Sequence, residues 1–170
     1  ATGLRLDGDR KILSLSDGRE MSADAVVVAT GAKYRRLEVP ELERFVGRSI
    51  FYTTFGESRL LKGLDVAVVG GGNSAAQAVV HLARFARSVT MIVRGKSLGH
   101  TMSDYLVQQI RSTPNVQVKL DSEVVGGDGD ERMETLQVRD RASGAVETIP
   151  ARFPFVLIGA LPHTDWLDGT

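Results

Sequence analysis

Three successive glycines, Gly70, Gly71 and Gly72, stand between the apolar run DVAVV and the alanine-rich NSAAQAVVHLA. Two chemistries use such a turn. In the first, Gly70-x-Gly72-x-x-Ala75 is the dinucleotide fingerprint with alanine as its third member. Gly70 allows the tight turn out of a strand, Gly72 lets backbone reach a pyrophosphate with no Cβ in the way, and Ala75 lets the helix pack closely on the strand. The free N–H groups of Asn73, Ser74 and Ala75 then face the phosphate, with the positive end of a helix dipole behind them. In the second, GNSAA is one residue from the G-x-S-x-G elbow that displays a serine nucleophile. That reading needs a later acid and a later base, and Asp104 or Asp128 with His163 satisfy the order. It fits loosely. Ala76 replaces the last glycine, no HGGG-like oxyanion segment precedes the turn, and Gly70-Gly71 goes unused.

The remaining candidates carry less chemistry. DGDGDE, around Asp128 to Glu131, lacks the spaced ligands and the closing bidentate Glu of a calcium loop, so it reads as a hairpin turn. His81, His100 and His163 are too scattered for metal-ligand spacing, and no metal site is expected. His81 reads as a surface or boundary residue of the first helix and His100 as a loop residue. The KYRR run, Lys33 to Arg36, reads as a solvated hinge face.

The elements around the glycines suit the phosphate reading. LDVAVVG is a short continuous apolar strand of the kind buried on both faces of a parallel sheet. Asn73 to Ala86 has helical spacing, with Arg84 and Arg87 near its C-terminal end. SVTMIVR is a second buried strand, and SDYLVQQIRS a helix with Ser103 as N-cap and Pro114 as its stop. VQVKL is a third strand; SEVVGG, METLQVRD and AVETIP form an antiparallel meander; FPFVLIGALP is a fourth apolar strand. Before all of these, LRLD, KILSLS and ADAVVVATGA are β-like, punctuated by Asp7-Gly8 and Asp17-Gly18, and Lys33 to Gly47 reads as a connector. The expected fold class is therefore α/β and Rossmann-like, and the family resemblance set out below makes it an FAD/NAD(P)-binding fold. Its parallel sheet carries helices on one face and an antiparallel β-meander on the other.

Composition bounds the partners. The chain has 170 residues, 25% of them charged, with 21 basic side chains against 21 acidic, so neither nucleic acid nor an anionic membrane is expected as a partner. No apolar run approaches a membrane span, and there is no cysteine, which removes disulfides, thiolate nucleophiles and Cys-based metal sites. A cytoplasmic location is the default expectation.

Three landmarks in order, DAVVVATGA (Asp24 to Ala32), DVAVVGGGNSAAQAVVHLA (Asp65 to Ala83) and VLIGALPHT (Val156 to Thr164), resemble the thioredoxin reductase-like FAD/NAD(P)H flavoproteins. The resemblance implies that the ATG strand belongs to an FAD domain. The glycine motif would open an NAD(P)H domain, and the strand with Gly159 would close it. It implies the interior of a longer protein: residues 1–36 the end of an FAD-binding domain and hinge, residues 37–167 the NAD(P)H domain. Cofactor contacts fall on Gly70, Gly72, Asn73, Ser74, Ala75 and Gly159. The family's redox-active CxxC would sit at Thr53 and Gly56, so the parent resembles the cysteine-free branches, and Thr53 and Thr54 read as a polar strand or turn.

The resemblance also bears on which nucleotide is bound. An NAD-selective site ends its second strand in an acid. Here that place is Val93, followed by Arg94 and Lys96, basic residues of the kind that hold a 2′-phosphate. Gly95 stands where a second arginine is expected. The cofactors expected are thus NADP, with NAD as the alternative, and FAD in the parent. The partners are a nicotinamide nucleotide and the rest of the FAD domain, with a homodimer left open. The chain alone is expected to be inactive. The competing function is a non-catalytic nucleotide-sensing or interaction domain.

Overall fold

A computed structural model describes residues 1–53 and 58–167. Gly56, expected at the second cysteine position of a CxxC, and Thr54, expected in a polar strand or turn, lie outside the described residues. Thr53 is an exposed bend residue. The chain divides into two compact units: residues 1–35 with those from Ala160 onward, and residues 36–159.

In the first unit, β1 (Gly3–Asp7), β2 (Arg10–Ser14) and β3 (Glu20–Ala23) form an antiparallel meander in the order β1-β2-β3. The strand expected over residues 23–32 does not form. Residues 25–30 make no ladder, only β4 (Ala32–Tyr34) is extended and paired, and Val27 is 90% exposed. A valine run has strand propensity, but a strand also needs a hydrogen-bonding edge and an apolar face. Among the described residues neither is offered to residues 25–30.

The second unit opens where a plain connector was expected, and part of it is structured. Pro40–Phe45 is a 3-10 turn with proline in its first turn, and Leu42 and Phe45, three residues apart, share one face and are buried. Arg36 ties back to this turn through Glu43 at 3.0 Å.

Beyond it the α/β expectation is realised. The strand β5 (Asp65–Val69) leads into α1 (Asn73–Leu82), β6 (Ser88–Ile92), α2 (Asp104–Ser112) and β7 (Val116–Lys119). Next come the antiparallel β8 (Ser122–Asp128), β9 (Thr135–Asp140) and β10 (Val146–Pro150), then β11 (Phe153–Val156). The parallel sheet has the order β11-β5-β6-β7, and the meander the order β10-β9-β8.

Alternation along β5 explains the layering. Val66 and Val68 face α1 and α2, packing with Ala75, Val79, Leu106 and Ile110. Ala67 and Val69 face the other way and pack with Val124, Leu136, Val138, Leu42 and Phe45. Both faces of the strand are covered, which is why its sequence reads as an unbroken apolar run.

The apolar stretch expected as one final strand, residues 153–162, is two. β11 ends at Val156, and β12 (Ala160–Pro162) pairs antiparallel with β4 in the first unit. Leu157 and Ile158 stay with the second unit. Gly159, at a φ of +103°, takes the chain out of the sheet between the two strands.

Candidate functional site

The sheet order locates a topological switch point before any side chain is considered. From β5 the chain winds one way, to β6 and β7, and β11 is then laid on the opposite side of β5. In an open α/β sheet, ligands bind outside the carboxyl ends of the strands at such a reversal. The three glycines leave the carboxyl end of β5 at that point.

Each glycine has its own reason. Gly70 has φ +142°, and a Cβ there would lie 2.3 Å from the carbonyl oxygen of Leu157 and 3.2 Å from Cβ of Ala75. The turn therefore runs against the backbone that follows β11, and Leu157 N–H donates to Val69 at 2.7 Å. A Cβ on Gly71 would be 2.8 Å from Cγ1 of Val93, so this position is small because it sits on the end of β6. Gly72 is different. A Cβ there would meet only the carbonyl oxygen of Thr101, at 4.0 Å. Packing inside the chain does not require glycine at 72. Backbone open to approach, with no Cβ in the way, is the geometry that close contact with a phosphate demands, so the residues present fit a dinucleotide.

The donors are in place beside it. Gly72 is the N-cap of α1, and the first helical bond runs from Ala76 N–H to the Gly72 carbonyl at 3.0 Å. The N–H groups of Asn73, Ser74 and Ala75 are left without helical acceptors, at the positive end of the dipole. No acidic residue occupies the first turn to compete with an anion.

Two contacts brace this turn. Thr101 Oγ1 donates to the Gly71 carbonyl at 2.8 Å, and Ser103 N–H donates to Asn73 Oδ1 at 2.8 Å. Ser103 is the N-cap of α2, as its type and position suggest, yet its hydroxyl makes no capping bond. The Asn73 side chain is thus tied to the second helix, while its backbone N–H remains among the donors. Nothing in sequence spacing marks Thr101, 30 residues away, as a partner of Gly71.

Beyond β6, Val93 is buried beneath Gly71, so Arg94 is the first residue after the strand to reach solvent, followed by exposed Gly95 and Lys96. A carboxylate at 93 would be buried against the glycine turn. The backbone of this loop is held from β7 and β8. Lys119 accepts from Val93 N–H at 2.9 Å, Ser122 donates to the Val93 carbonyl at 3.0 Å, and Asp121 donates to the Gly95 carbonyl at 3.0 Å. Glu123 lies close by, its carboxyl held below the ordinary range. The chief cause is the hydrogen bond from Arg139, against the cost of burial, with the charges of Arg141 and Arg94 adding.

The other candidate positions do not assemble. Ser74 lies exposed on the first turn of α1. Asp128 is engaged by Arg44 at 3.3 Å and by Gly129 N–H at 2.8 Å, at the hairpin between β8 and β9. His163 belongs to the first unit, where its N–H donates to the Gly31 carbonyl at 3.0 Å. No described hydrogen bond links Ser74, Asp104 or Asp128 to a histidine. His81 is exposed with its ring tilted against Phe85 at 5.3 Å, and no three metal-ligating side chains converge among the described residues. Nor is any described helix long and apolar enough to cross a membrane.

The family model described as pyridine nucleotide-disulphide oxidoreductase matches residues 1–170. The chain belongs to that family. An alkyl hydroperoxide reductase component of Pseudomonas putida is 36% identical over 168 residues, 96% of this chain and 31% of its own length. Thioredoxin reductase of Streptomyces coelicolor is 30% identical over 164 residues, 96% of this chain and 50% of its own. The crystal structure of thioredoxin reductase from Streptococcus pyogenes superposes with a TM-score of 0.75 at 28% identity. The match covers 96% of this chain and 53% of that one. The chain thus spans between about a third and about half of these relatives. Like them it is a thioredoxin reductase-like oxidoreductase sequence, and having no cysteine it supplies no thiol of its own to disulphide chemistry.

Proposed function

We propose that residues 36–159 form the nicotinamide-nucleotide module of an FAD-dependent oxidoreductase, and that the nucleotide is NADP(H). The observation that carries the reading is Gly72, a glycine with open space where its side chain would be, next to three free N–H donors at the switch point of a parallel sheet. When bound, the nicotinamide supplies a hydride, and flavin in the longer protein is the acceptor to which family membership points.

The chain's own residues do the holding. Gly70 lets the turn pass the backbone after β11, and the N–H groups of Asn73, Ser74 and Ala75 neutralise pyrophosphate charge without a cation. Thr101 and the Asn73 amide keep the turn from shifting when the anion arrives. Arg94 and Lys96 supply charge-assisted donors for a 2′-phosphate, where a carboxylate would repel it. Gly159 leads the backbone away from the same switch point. Residues 1–35 and 160–167 are read as part of the FAD-binding domain. The unpaired valines of residues 25–30 support this, because the remaining sheet of such a domain supplies the edge they lack.

The test is anaerobic mixing of the full-length flavoprotein with NADPH while flavin absorbance is followed. Bleaching in the parent, and its loss in Gly72→Val with flavin still bound, is the expected result. Tight nucleotide binding with no bleaching would leave a nucleotide-sensing domain, and absence of binding would overturn the reading.

A further inference from the structure

The loop that carries Arg94 and Lys96 is clamped by a residue far away in sequence. Arg141 stands just past β9, at the start of the turn to β10, and its Nη1 donates to the Arg94 carbonyl at 3.1 Å. The same guanidinium lies 3.4 Å from the Asp121 carboxylate and, through Nε, 3.7 Å from Glu123. The backbone closes the arrangement: Arg141 N–H donates to the Asp121 carbonyl at 2.8 Å, and Asp121 N–H donates to the Gly95 carbonyl at 3.0 Å. Asp121 sits at φ +47°, the one described non-glycine residue in the left-handed region. A residue held there departs from its local preference because surrounding contacts fix it. Arg141 and Asp121 therefore grip two successive carbonyls, those of Arg94 and Gly95, at the base of the loop.

Charge sharpens the point. The charges of Arg94, Arg139 and Arg141 all act on Glu123, and Arg141 also meets Asp121. Arg139 donates to Glu123 at 2.5 and 3.1 Å, and Arg141 is divided between Asp121, Glu123 and a carbonyl. Both are committed inside the chain. Arg94 makes no described side-chain bond, so it is the member of the trio that stays available.

On this basis, and resting on the reading that the loop receives the 2′-phosphate, we propose that Arg141 is a positioning residue for nucleotide specificity. It fixes the backbone from which Arg94 projects, and does not itself touch the phosphate. Arginine suits the task because its planar fork can serve a carbonyl and a carboxylate at once, whereas lysine is a single point charge.

The test is a calorimetric titration of the full chain with NADPH and with NADH, for wild type, Arg94→Ala, Arg141→Ala, Arg141→Lys and the Arg94→Ala/Arg141→Ala pair. Arg141→Ala is expected to weaken NADPH at least fivefold and leave NADH within twofold. The double variant should lose clearly less for NADPH than the sum of the two single losses, because Arg141 acts through the loop and chiefly through Arg94. Arg141→Lys should recover only part of the loss. Equal losses for the two nucleotides would reduce Arg141 to a fold residue and overturn the proposal, as would additive losses, which mean direct contact with phosphate. If Arg141→Ala fails to fold by circular dichroism, Arg141→Lys and its pairing with Arg94→Ala give the same cycle. Wild type binding neither nucleotide would sink the binding site itself. Wild type binding both equally, with Arg94→Ala changing neither, would sink the 2′-phosphate assignment before Arg141 is reached.

Discussion

Gly70 and Gly72, two residues apart in one turn, respond to alanine in opposite ways. At Gly70 the new Cβ falls 2.3 Å from the Leu157 carbonyl oxygen and 2.9 Å from its carbon, on a backbone at φ +142°. Overpacking costs about 1–3 kcal/mol, and an unsuited backbone region roughly another 1–3 kcal/mol. At about 2–4 °C per kcal/mol for a chain of this size, the melting temperature of Gly70→Ala falls by roughly 4–24 °C. At Gly72 the new Cβ has only Thr101 oxygen at 4.0 Å, on an extended backbone with φ −94° and ψ 179°. Alanine is a poorer N-cap than glycine by about 0.5–1 kcal/mol, offset by about 0.4–1 kcal/mol from a less flexible unfolded chain, so stability stays within about 1 kcal/mol. Nucleotide binding reverses the order of severity. A Cβ at 72 holds the phosphate away from the N–H donors, and losing one charge-assisted bond of about 1.5–3 kcal/mol weakens binding roughly tenfold or more. Thermal melts and calorimetric titrations of Gly70→Ala, Gly72→Ala and Gly72→Val decide it. A Gly72→Val protein that binds with wild-type affinity, or that loses binding only in step with a collapse in stability, would refute the reasoning.

Arg94→Ala should weaken NADPH tenfold or more and leave NADH nearly unchanged, since a charge-assisted bond to the 2′-phosphate is worth about 1.5–3 kcal/mol; parallel titrations check this. Ser74→Ala should cost binding no more than about 0.5–1.5 kcal/mol, whereas a hydrolase would lose all ester turnover. Thr101→Val removes the bond to the Gly71 carbonyl and leaves that acceptor to water, so melting should report a loss of about 0.5–1.5 kcal/mol, with a weaker nucleotide complex in the same sample. Asp65, whose carboxyl is held low chiefly by a hydrogen bond from Arg87, and also by Ser88, against its burial, gives a pH test. Its folded pKa lies below the unfolded value of about 3.9, so its contribution is complete above that pH and disappears as pH falls through the folded pKa. Arg87→Ala should therefore lower stability at neutral pH and bring the two proteins closer in acid, as urea melts across that range would show.

Much of the second unit was legible because its signals are local. An apolar run, a glycine turn and an alanine-rich helix are each written in consecutive residues, and β5, α1, β6 and α2 appear at the expected places. Two misreadings came from requirements that a local pattern does not express. Residues 25–30 have strand chemistry but no edge within the described chain, and FPFVLIGALP is apolar throughout yet breaks at Gly159 to change partners. Leu42 and Phe45 read as connector because a single turn of 3-10 helix is too short to show periodicity. At the site, Gly70, Gly72 and the donors of α1 come together as their motif implies. Thr101, Asp121 and Arg141 carry no motif at all. They reach the turn and its neighbouring loop through tertiary pairing, Thr101 across 30 residues of sequence and Arg141 across 47, with Asp121 bonded to the Gly95 carbonyl.

The central claim is that the turn after β5 cradles a nicotinamide nucleotide, and amide-resolved NMR of the ¹⁵N-labelled chain during NADPH titration tests it most directly. The account predicts saturable shifts concentrated at the N–H groups of Gly71 to Ala75 and of Arg94 to Ser97, with the Arg94-to-Ser97 group much less affected by NADH. Shifts confined to other residues, or none at all while the chain remains folded, would contradict it.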